Sequence, residues 1–540
     1  MVAVVLALGV VAQGFFAHAE DTSQRVDQLF AAYRQTGTPG CSLGVIRDGA
    51  FVYRKSYGEA SLELGVQLSP ESVFYVGSVS KQFTAASVVL AAEQGSLSLD
   101  TDVRKYLPEL PDYGNRITLR QMLNQTSGFR DFFDLIYFSG RDAAEFNSPN
   151  EILKLIEREK VLNNVPGAEW VYSNTNYFLL GIVLQRATGK TLAEYAAENI
   201  FRPLGMAHTR FYDDASVVVP GRVAAYDLGK GDAFQVDWST TYAVVGGGGL
   251  MTTIGDLLKW DSNFYSNQLG KGTLVKELEM PGVLNDGKSS TYGMGLILGN
   301  YRGLRIVEHN GSLFGYRADI LRFPEQKFTV ACLCNVSNAA PEEKSREVAD
   351  IYLKGAMGPD SAPLAATRKD LPDPTSFAGQ YLDQRTHTIY SFTASNGHLR
   401  AWGSDLRRKD ANQFYDLFGD VFKFEGSGDS TKVSLDMNGE TYFAGKRLSQ
   451  IHLDNAALQV FAGDYRSAEL DSVIQLSVEH DNLILKNRNN PPLTLIPISN
   501  DEFEAEGSFV IGFHRDVHGR VSGLSWSEHA ARDIGFTRTD

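Results

Sequence analysis

The length, composition and charge of the chain set the first limits on what it can be. Its 540 residues are 43% hydrophobic and 21% charged, which is typical of a globular protein with about two to four domains. The formal net charge of −14 and a pI near 5.3 offer no basic surface for phosphates. We therefore expect neither nucleic acid nor an anionic membrane surface as a partner.

The N-terminal segment has the features of a leader peptide. Residues 1–19 carry no Asp, Glu, Lys or Arg, run apolar from Val2 to Val11, and end in an Ala-x-Ala cleavage signature. They are predicted to be a signal peptide, which implies export to the periplasm or secretion. The missing positive start leaves open an uncleaved anchor, a true start upstream of Met1, or a buried helix. The run is short for a permanent span, so we do not expect an integral membrane protein after cleavage.

The elements predicted next indicate an α+β fold. The residues after a first helix form two strand-like runs joined by Asp48-Gly49, a hairpin turn signal. Helical patterns occupy 24–36, 80–94, 119–124, 149–159, 176–188, 254–266 and 341–354, and strand patterns 41–46, 51–55, 292–298, 304–309, 318–323 and 329–335. Strands at both ends with helices between them predict an antiparallel sheet flanked by helices, in a catalytic domain over residues 20–357.

Cysteine usage fits a chain without disulfides. Cys41, Cys332 and Cys334 are too few for a disulfide framework. In an apolar strand Cys332 and Cys334 would point to the same face. We expect all three to be buried free thiols, and no metal site, because no cluster of His and Cys has zinc-ligand spacing.

The tail contains a linker followed by a repeat. A proline-containing stretch predicts a linker over 358–374. Beyond it, Phe-Ala-Gly-Gln-Tyr at 377–381 recurs as Phe-Ala-Gly-Asp-Tyr at 461–465, and both copies alternate polar and apolar residues between turn residues. This pattern predicts two small all-β domains, each a barrel or a sandwich, at 375–453 and 454–540. We expect them to cap or extend the active site.

The candidate chemistry begins with Ser78 and Lys81, three residues apart at the start of an apolar helix. That spacing is about one helical turn, so the two side chains can meet, and the helix N-terminus offers N–H groups to an oxyanion. A Ser-x-x-Lys motif alone is common, and a lysine with its ordinary pKa of about 10.4 is a poor base near neutrality. Lys81 therefore needs burial or a cationic neighbour, or else acts as a charge that tunes another group.

A candidate for that other group lies in the segment Tyr172-Ser173-Asn174. A tyrosinate beside a lysine is a plausible base, and the Asn174 amide can hold both Lys81 and a substrate carbonyl. Alone, these residues would fit a loop aromatic and a helix N-cap equally well.

The third candidate segment is His309-Asn310-Gly311-Ser312, between two predicted strands. Gly311 lets the backbone approach a ligand closely, and the Ser312 N–H can complete an oxyanion hole with that of Ser78. His309, Gly311 and Ser312 are therefore candidate substrate-binding residues, although a His-x-Gly segment by itself is more often a turn.

In this order and at these separations the three segments resemble the serine β-lactamase family, in its class C branch with DD-peptidase, D-aminopeptidase and esterase relatives. The resemblance covers about residues 26–354. It includes 119–128, which is similar to the family's Leu-Leu-x-His-Thr-Ser-Gly segment with Gln125 where His is usual, and 246–253, which is similar to its Gly-Gly-Leu-x-Ser/Thr stretch. The tail repeats resemble the β-barrel domains of D-aminopeptidase-like members.

The resemblance also implies roles for individual residues. It implies acylation of Ser78, a base role shared by Lys81 and Tyr172, and substrate positioning by Asn174. His309 stands where the β-lactamases proper have the lysine of Lys-Thr-Gly, and histidine there is typical of the D-aminopeptidase and esterase relatives.

The sequence therefore predicts a serine hydrolase that forms an acyl-enzyme on amide or ester bonds, with a D-amino-acid peptide or a cell-wall fragment as substrate. A β-lactamase or esterase of the same family is the alternative, and a non-catalytic peptide- or glycan-binding protein is the alternative of another class. A complete set of Ser, Lys, Tyr and Asn argues against pure binding, which needs no nucleophile. We expect no metal or organic cofactor, and a small peptide, amide or ester as the partner.

Overall fold

The computed structural model describes residues 22–141, 148–229, 231, 233–237, 242–358, 372–401, 404–416, 419–437 and 440–539. The predicted signal peptide and most of the predicted linker lie outside these residues, so both stay predictions. Within the described ranges, every helix is too short or too polar to span a bilayer.

The N-terminal part, residues 22–358, mixes strands and helices. Its strands are β1 (Cys41–Arg47), β2 (Ala50–Tyr57), β3 (Glu59–Ser61), β4 (Val66–Gln67), β5 (Phe74–Tyr75), β6 (Arg210–Phe211), β7 (Tyr226–Leu228), β8 (Phe234–Val236), β9 (Leu250–Thr252), β10 (Ile297–Tyr301), β11 (Leu304–Leu313), β12 (Tyr316–Phe323) and β13 (Phe328–Cys334). Its α-helices are α1 (22–29), α2 (Ser80–Glu93), α3 (Leu119–Leu123), α4 (Phe132–Phe138), α5 (Pro149–Ile156), α6 (Asn174–Thr188), α7 (Leu192–Ala196), α8 (Arg202–Leu204), α9 (Ile254–Ser266), α10 (Leu274–Leu278) and α11 (Pro341–Tyr352). Short 3₁₀ turns lie at Ala31–Arg34, Gly77–Val79, Val103–Lys105 and Pro324–Gln326, and a π-helical turn at Ala197–Phe201.

The main sheet has the order β10-β11-β12-β13-β1-β2, with every neighbouring pair antiparallel. Segments from both ends of the N-terminal part thus meet in one sheet, which confirms the predicted α+β fold. Helices α1 and α11 cover one face through side chains such as Val26 and Val348, and α9 packs near β1 and β13. Helix α2 is buried from Ser80 to Ala91, which explains why most of its residues other than Lys81 and Gln82 are small or apolar.

One predicted strand is displaced because the chain turns against α2. The pattern predicted a strand over 292–298, but β10 begins at Ile297. Gly295 has a φ of +75°, and a Cβ there would lie 2.6 Å from the Lys81 carbonyl oxygen. Only glycine permits this approach, and the turn leaves Tyr292 outside β10 and beside His309.

The expectation of three free thiols is wrong. Cys41 and Cys334 form a disulfide, and only Cys332 is free and buried. The two bonded residues are direct partners in the register of β1 and β13, a pairing between segments 293 residues apart that spacing alone does not reveal. Cys332 and Cys334 do share a face, with sulfur atoms 3.8 Å apart.

The disulfide closes a long loop, so its loss should be costly. We expect Cys41→Ala to lower the free energy of unfolding by about 2–5 kcal/mol more than the matched control Cys332→Ala, which removes a buried thiol without breaking the bond. Urea unfolding with and without reductant measures this difference. Equal destabilisation by the two variants under oxidising conditions would contradict the assignment.

The tail is built almost entirely of strands. The first set is β14 (Gly379–Asp383), β15 (Thr388–Ser395), β16 (His398–Ala401), β17 (Ser404–Asp405), β18 (Arg407–Arg408), β19 (Gln413–Tyr415), β20 (Val421–Glu425), β21 (Lys432–Met437) and β22 (Glu440–Arg447). Helix α12 (Asn455–Gln459) precedes the second set, which is β23 (Gly463–Ser467), β24 (Ser472–Glu479), β25 (Asn482–Lys486), β26 (Leu493–Pro497), β27 (Glu502–Ala505), β28 (Phe509–Arg515), β29 (Val521–Glu528) and β30 (Ala531–Arg538). Two 3₁₀ turns lie at Pro374–Phe377 and Gly428–Ser430.

Both strand sets follow the same circular order, as the repeat predicts. Strands β23 to β30 close into a barrel, and β14 to β22 form the same circle with one break between β17 and β18. In each copy the repeated tyrosine is fully buried. Its hydroxyl donates to the carbonyl of the repeated phenylalanine at 2.8 Å, from Tyr381 to Phe377 and from Tyr465 to Phe461. The repeated motif is therefore a repeated structure.

The second barrel is bound tightly to the N-terminal part. The Arg130 guanidinium is 2% exposed and pairs with Glu159 at 2.8 Å and with Glu469 of the barrel at 2.9 Å. Phe138 at the end of α4 stacks on Trp526 of β29, with ring centroids 4.6 Å apart. A buried, paired arginine and an aromatic stack make this junction part of the protein core.

Candidate active site

Ser78 lies in the 3₁₀ turn that leads into α2, with β11 directly against it. Gly77 has a φ of +50°, and a Cβ there would lie 2.7 Å from the Ser312 nitrogen. A Cβ on Gly311 would lie 2.0 Å from the Val76 carbonyl oxygen and 3.0 Å from the Ser78 nitrogen. The two glycines let the two backbone segments pack directly against each other, so Ser78 and Ser312 lie close together.

The Lys81 amine is fully buried and surrounded by oxygen atoms. It donates to Ser78 Oγ at 3.1 Å, to Asn174 Oδ1 at 2.8 Å and to the Gly247 carbonyl at 2.7 Å. Burial lowers the pKa of Lys81 to about 7, while the charge of Asp131 acts in the opposite direction. The sequence required such a shift for Lys81 to act as a base, and burial supplies it.

The glycine run 246–249 makes room for this arrangement. A Cβ on Gly246 would lie 2.3 Å from the Tyr177 carbonyl oxygen, and one on Gly248 would lie 2.8 Å from the Tyr75 hydroxyl. Thr84 on α2 donates to the Gly246 carbonyl at 2.8 Å. Because the run has no side chains, its carbonyl groups can approach α2 closely enough to accept from Lys81.

Tyr172 lies beside Lys81 and Ser78. Burial raises the pKa of Tyr172 above its usual value, while the neighbouring Ser78 acts in the opposite direction. The Lys81 amine lies 4.7 Å from the Tyr172 ring centroid. Tyr172 is therefore a neutral phenol near neutral pH, able to donate or relay a proton.

Asp131 is a site residue that the sequence did not reveal. Its Oδ2 accepts from the Asn174 backbone at 2.5 Å and from Asn174 Nδ2 at 2.8 Å, so it orients the amide toward Lys81. Its Oδ1 accepts from the Phe133 N–H at 2.8 Å as the N-cap of α4. The local pattern signals that cap, but the contact with Asn174 joins segments 43 residues apart.

Gln125, where the related segment has histidine, supports the Tyr172 loop. Its side-chain oxygen accepts from the Ser173 N–H at 3.0 Å and from Asn176 Nδ2 at 2.7 Å. Its backbone is left-handed, with a φ of 61°, and its carbonyl accepts from Val171 at 3.0 Å. Gln125 thus holds both neighbours of Tyr172 in place, Ser173 through its side chain and Val171 through its backbone.

His309 lies behind the site, not in the cavity beside Ser78. The ring is 1% exposed, and its Nδ1 lies 2.6 Å from the Asn310 carbonyl oxygen. A carbonyl only accepts, so Nδ1 carries the hydrogen and Nε2 accepts from the Tyr292 hydroxyl at 2.9 Å. Burial, together with the charge of Lys81, lowers the pKa of His309 to about 3. The ring is therefore neutral, and its centroid lies 6.3 Å from that of Tyr172.

A cavity of about 160 Å³ opens beside Ser78. Ser78, Asn174 and Ser312 lie on its polar side. The rest of the wall is mainly aromatic and was not identified from the sequence; it includes Tyr75, Phe132, Phe133, Phe178 and Tyr242. The structure therefore brings Ser78, Lys81, Tyr172, Asn174, Gly311 and Ser312 together, next to an apolar pocket.

Comparison with known proteins agrees with this geometry. The family model described as Beta-lactamase matches residues 26–353, more than half of the chain. The chain belongs to the Beta-lactamase family.

The chain is also similar to individual proteins along most of its length. The D-aminopeptidase of Brucella anthropi is 24% identical over 523 residues, which cover 93% of this chain and 95% of that protein. The D-aminopeptidase of Brucella ovis is 25% identical over 526 residues, covering 93% and 96%. These relatives are hydrolases and match through the tail as well as the N-terminal part.

Solved structures confirm the fold. The octameric penicillin-binding protein homologue from Pyrococcus abyssi superposes with a TM-score of 0.55 at 22% identity, covering 88% of this chain and 98% of that one. The D-amino acid amidase from Ochrobactrum anthropi SV3 superposes with a TM-score of 0.53 at 22% identity, covering 62% and 99%. The β-lactamase/transpeptidase-like fold is thus established for the N-terminal part.

The electrostatics of the site predict its titration. We expect the Lys81 amine to lose its proton near pH 7, and Asp131→Asn to lower that pKa further, because the carboxylate favours the charged amine. NMR of ¹³Cε-labelled lysine, assigned with Lys81→Met, measures both values.

His309 should remain neutral down to about pH 4 in the same samples, since its pKa is about 3.

The outcome that contradicts this electrostatic account is specific. It is a Lys81 resonance that titrates near its ordinary pKa of about 10.4 in a protein that is still folded. Thermal unfolding of Asp131→Asn serves as the control for fold, because that carboxylate also accepts two hydrogen bonds from Asn174.

Proposed function

We propose that this protein is a serine hydrolase that forms an acyl-enzyme on Ser78 and releases N-terminal D-amino acids from peptides or amides. The observation that carries the proposal is the 3.1 Å contact between Ser78 Oγ and Lys81 Nζ, with an amine whose pKa is held near 7 by burial. An amine with that pKa is unprotonated in part of the molecules at neutral pH, as a general base requires.

Acylation follows from the positions of these groups. Neutral Lys81 takes the Ser78 proton as Oγ bonds to the substrate carbonyl carbon, and the oxyanion accepts from the Ser78 and Ser312 N–H groups. The carbon–nitrogen bond then breaks, and the Tyr172 hydroxyl passes a proton to the leaving amine while regaining one from Lys81. Water completes the cycle by attacking the ester, and the same groups return the proton to Ser78.

The cavity supports an apolar acyl side chain. Phe133, Phe178 and Tyr242 line it beside the nucleophile, so an apolar side chain at the acyl residue would exchange water for aromatic contacts. The D configuration is proposed from the D-aminopeptidase relatives, which match over 93% of this chain. A peptide, amide or ester of a D-amino acid with an apolar side chain is the substrate class that these features favour.

Export is proposed together with this activity. The predicted leader at 1–19 supports it, and so does the Cys41–Cys334 disulfide, since disulfides persist mainly in oxidising compartments. A periplasmic or secreted enzyme would have access to cell-wall peptides.

The proposed role of Ser78 as the nucleophile can be tested by comparing its substitution with that of a nearby serine, Ser312. We expect Ser78→Ala to abolish turnover of D-phenylalanine p-nitroanilide and the covalent adduct with a fluorophosphonate, seen by intact-protein mass spectrometry. Ser312→Ala should keep both, because only the backbone N–H of Ser312 is used and its side chain is exposed. Retained turnover in pure Ser78→Ala protein would disprove the mechanism.

The role of the cavity beside Ser78 in selecting the acyl side chain can be tested with two aromatic residues of helix α4. We expect Phe133→Leu to lower kcat/KM for D-phenylalanine amide about tenfold relative to D-alanine amide, which equals 1.4 kcal/mol, because a pocket aromatic is lost. The control is Tyr137→Leu, which changes an aromatic of the same helix that packs on Phe509 of the barrel. Equal losses for the two substrates would show that the cavity does not select the side chain.

A further inference from the structure

A second cavity lies where the N-terminal part meets the first tail barrel. It holds about 340 Å³, roughly twice the volume of the cavity beside Ser78. We call it the junction cavity. The lining residues that define its chemistry are Trp170, Tyr292, Glu308, Tyr390, Asp420 and Tyr442.

The charged residues that line the junction cavity are all acidic. They are Glu308, Asp416 and Asp420. The Glu308 carboxylate is matched by Arg346, whose Nη2 donates to its two oxygens at 2.7 and 2.9 Å, and both side chains are 1% exposed. Among the described residues, the wall therefore supplies no free positive group to Asp420.

Asp420 is the carboxylate that lacks a partner. Its backbone N–H donates to Asp416 Oδ1 at 3.0 Å, but its own carboxylate makes no hydrogen bond or ion pair with any described residue. Burial, together with the charges of Asp416 and Glu308, raises the pKa of Asp420 to about 8. A cation in the cavity would relieve this repulsion and stabilise the ionised form.

The aromatic side chains show which kind of cation fits. Trp170 lies 5.5 Å from Tyr442 and 5.9 Å from Tyr292, measured between ring centroids, so three rings gather on one wall. Aromatic faces attract ammonium groups, whereas hard metal ions prefer oxygen ligands and water.

We propose that the junction cavity binds a small organic ammonium ligand, with its charge at Asp420 and its apolar part against Trp170 and Tyr442. The proposal does not depend on the proposed catalytic function. It adds a binding site on the far side of Tyr292, whose hydroxyl donates to His309. Because His309 lies behind Tyr172 and Trp170 precedes Tyr172 by two residues, an occupied cavity adjoins the residues that support the active site.

Binding can be measured without catalysis. Benzyltrimethylammonium is titrated into the full-length Ser78→Ala protein by isothermal calorimetry, with benzyl alcohol as the neutral comparator. We expect the cation to bind at least tenfold more tightly than the alcohol. We expect Asp420→Asn to weaken its affinity at least tenfold and the exposed-residue control Asp429→Asn to leave it unchanged.

Two further variants keep the proposal falsifiable. Trp170→Leu should also weaken binding, whereas Phe133→Leu, which alters the cavity beside Ser78, should leave binding unchanged. No binding of the cation, equal binding of the alcohol, or loss of affinity in Phe133→Leu but not in Asp420→Asn would each overturn the proposal. All these outcomes are read in a catalytically disabled protein, so they are separate from the fate of the acyl-enzyme mechanism.

Discussion

The burial of one amine is the constraint on which the rest of the site depends. Lys81 is completely inaccessible, and a buried cation without partners would be strongly destabilising. The amine donates three hydrogen bonds, to Ser78, Asn174 and Gly247. The turn before α2, the start of α6 and the glycine run must therefore converge on one nitrogen atom. The same burial lowers the pKa of the amine to about 7, since desolvation favours its uncharged form.

The tail contributes to this arrangement through a chain of hydrogen bonds. Asn174 is oriented by Asp131, and the Asp131 N–H donates to the carbonyl of Ala530 at 2.8 Å. Ala530 lies between β29 and β30 of the second barrel, and Asn163 donates to the same carbonyl at 2.7 Å. The barrel therefore holds the segment that aligns the amide.

Charge at the site also distinguishes among substrate classes. A lysine at the position of His309 would present a cation to a substrate carboxylate, as the resemblance to β-lactamases implies. Here the ring is neutral and both of its nitrogens are engaged, with Tyr292 and with the Asn310 carbonyl. The wall beside Ser78 is aromatic as well. The neutral ring and the aromatic wall offer no cation to a substrate carboxylate, and they suit an apolar side chain at the scissile amide or ester.

The sequence by itself determined the α+β class, the hairpin at Asp48-Gly49, most of the helices and the repeat in the tail, because these follow from local periodicity and turn residues. It also indicated Ser78, Lys81, Tyr172 and Asn174, since a motif carries its own spacing. Only the tertiary structure decided the Cys41–Cys334 pairing, the hydrogen bonds of Asp131 to Asn174 and the position of His309 behind Tyr172. Each of these depends on contacts between segments distant in the chain, and burial, which sets the pKa of Lys81 and His309, exists only once those segments have packed together.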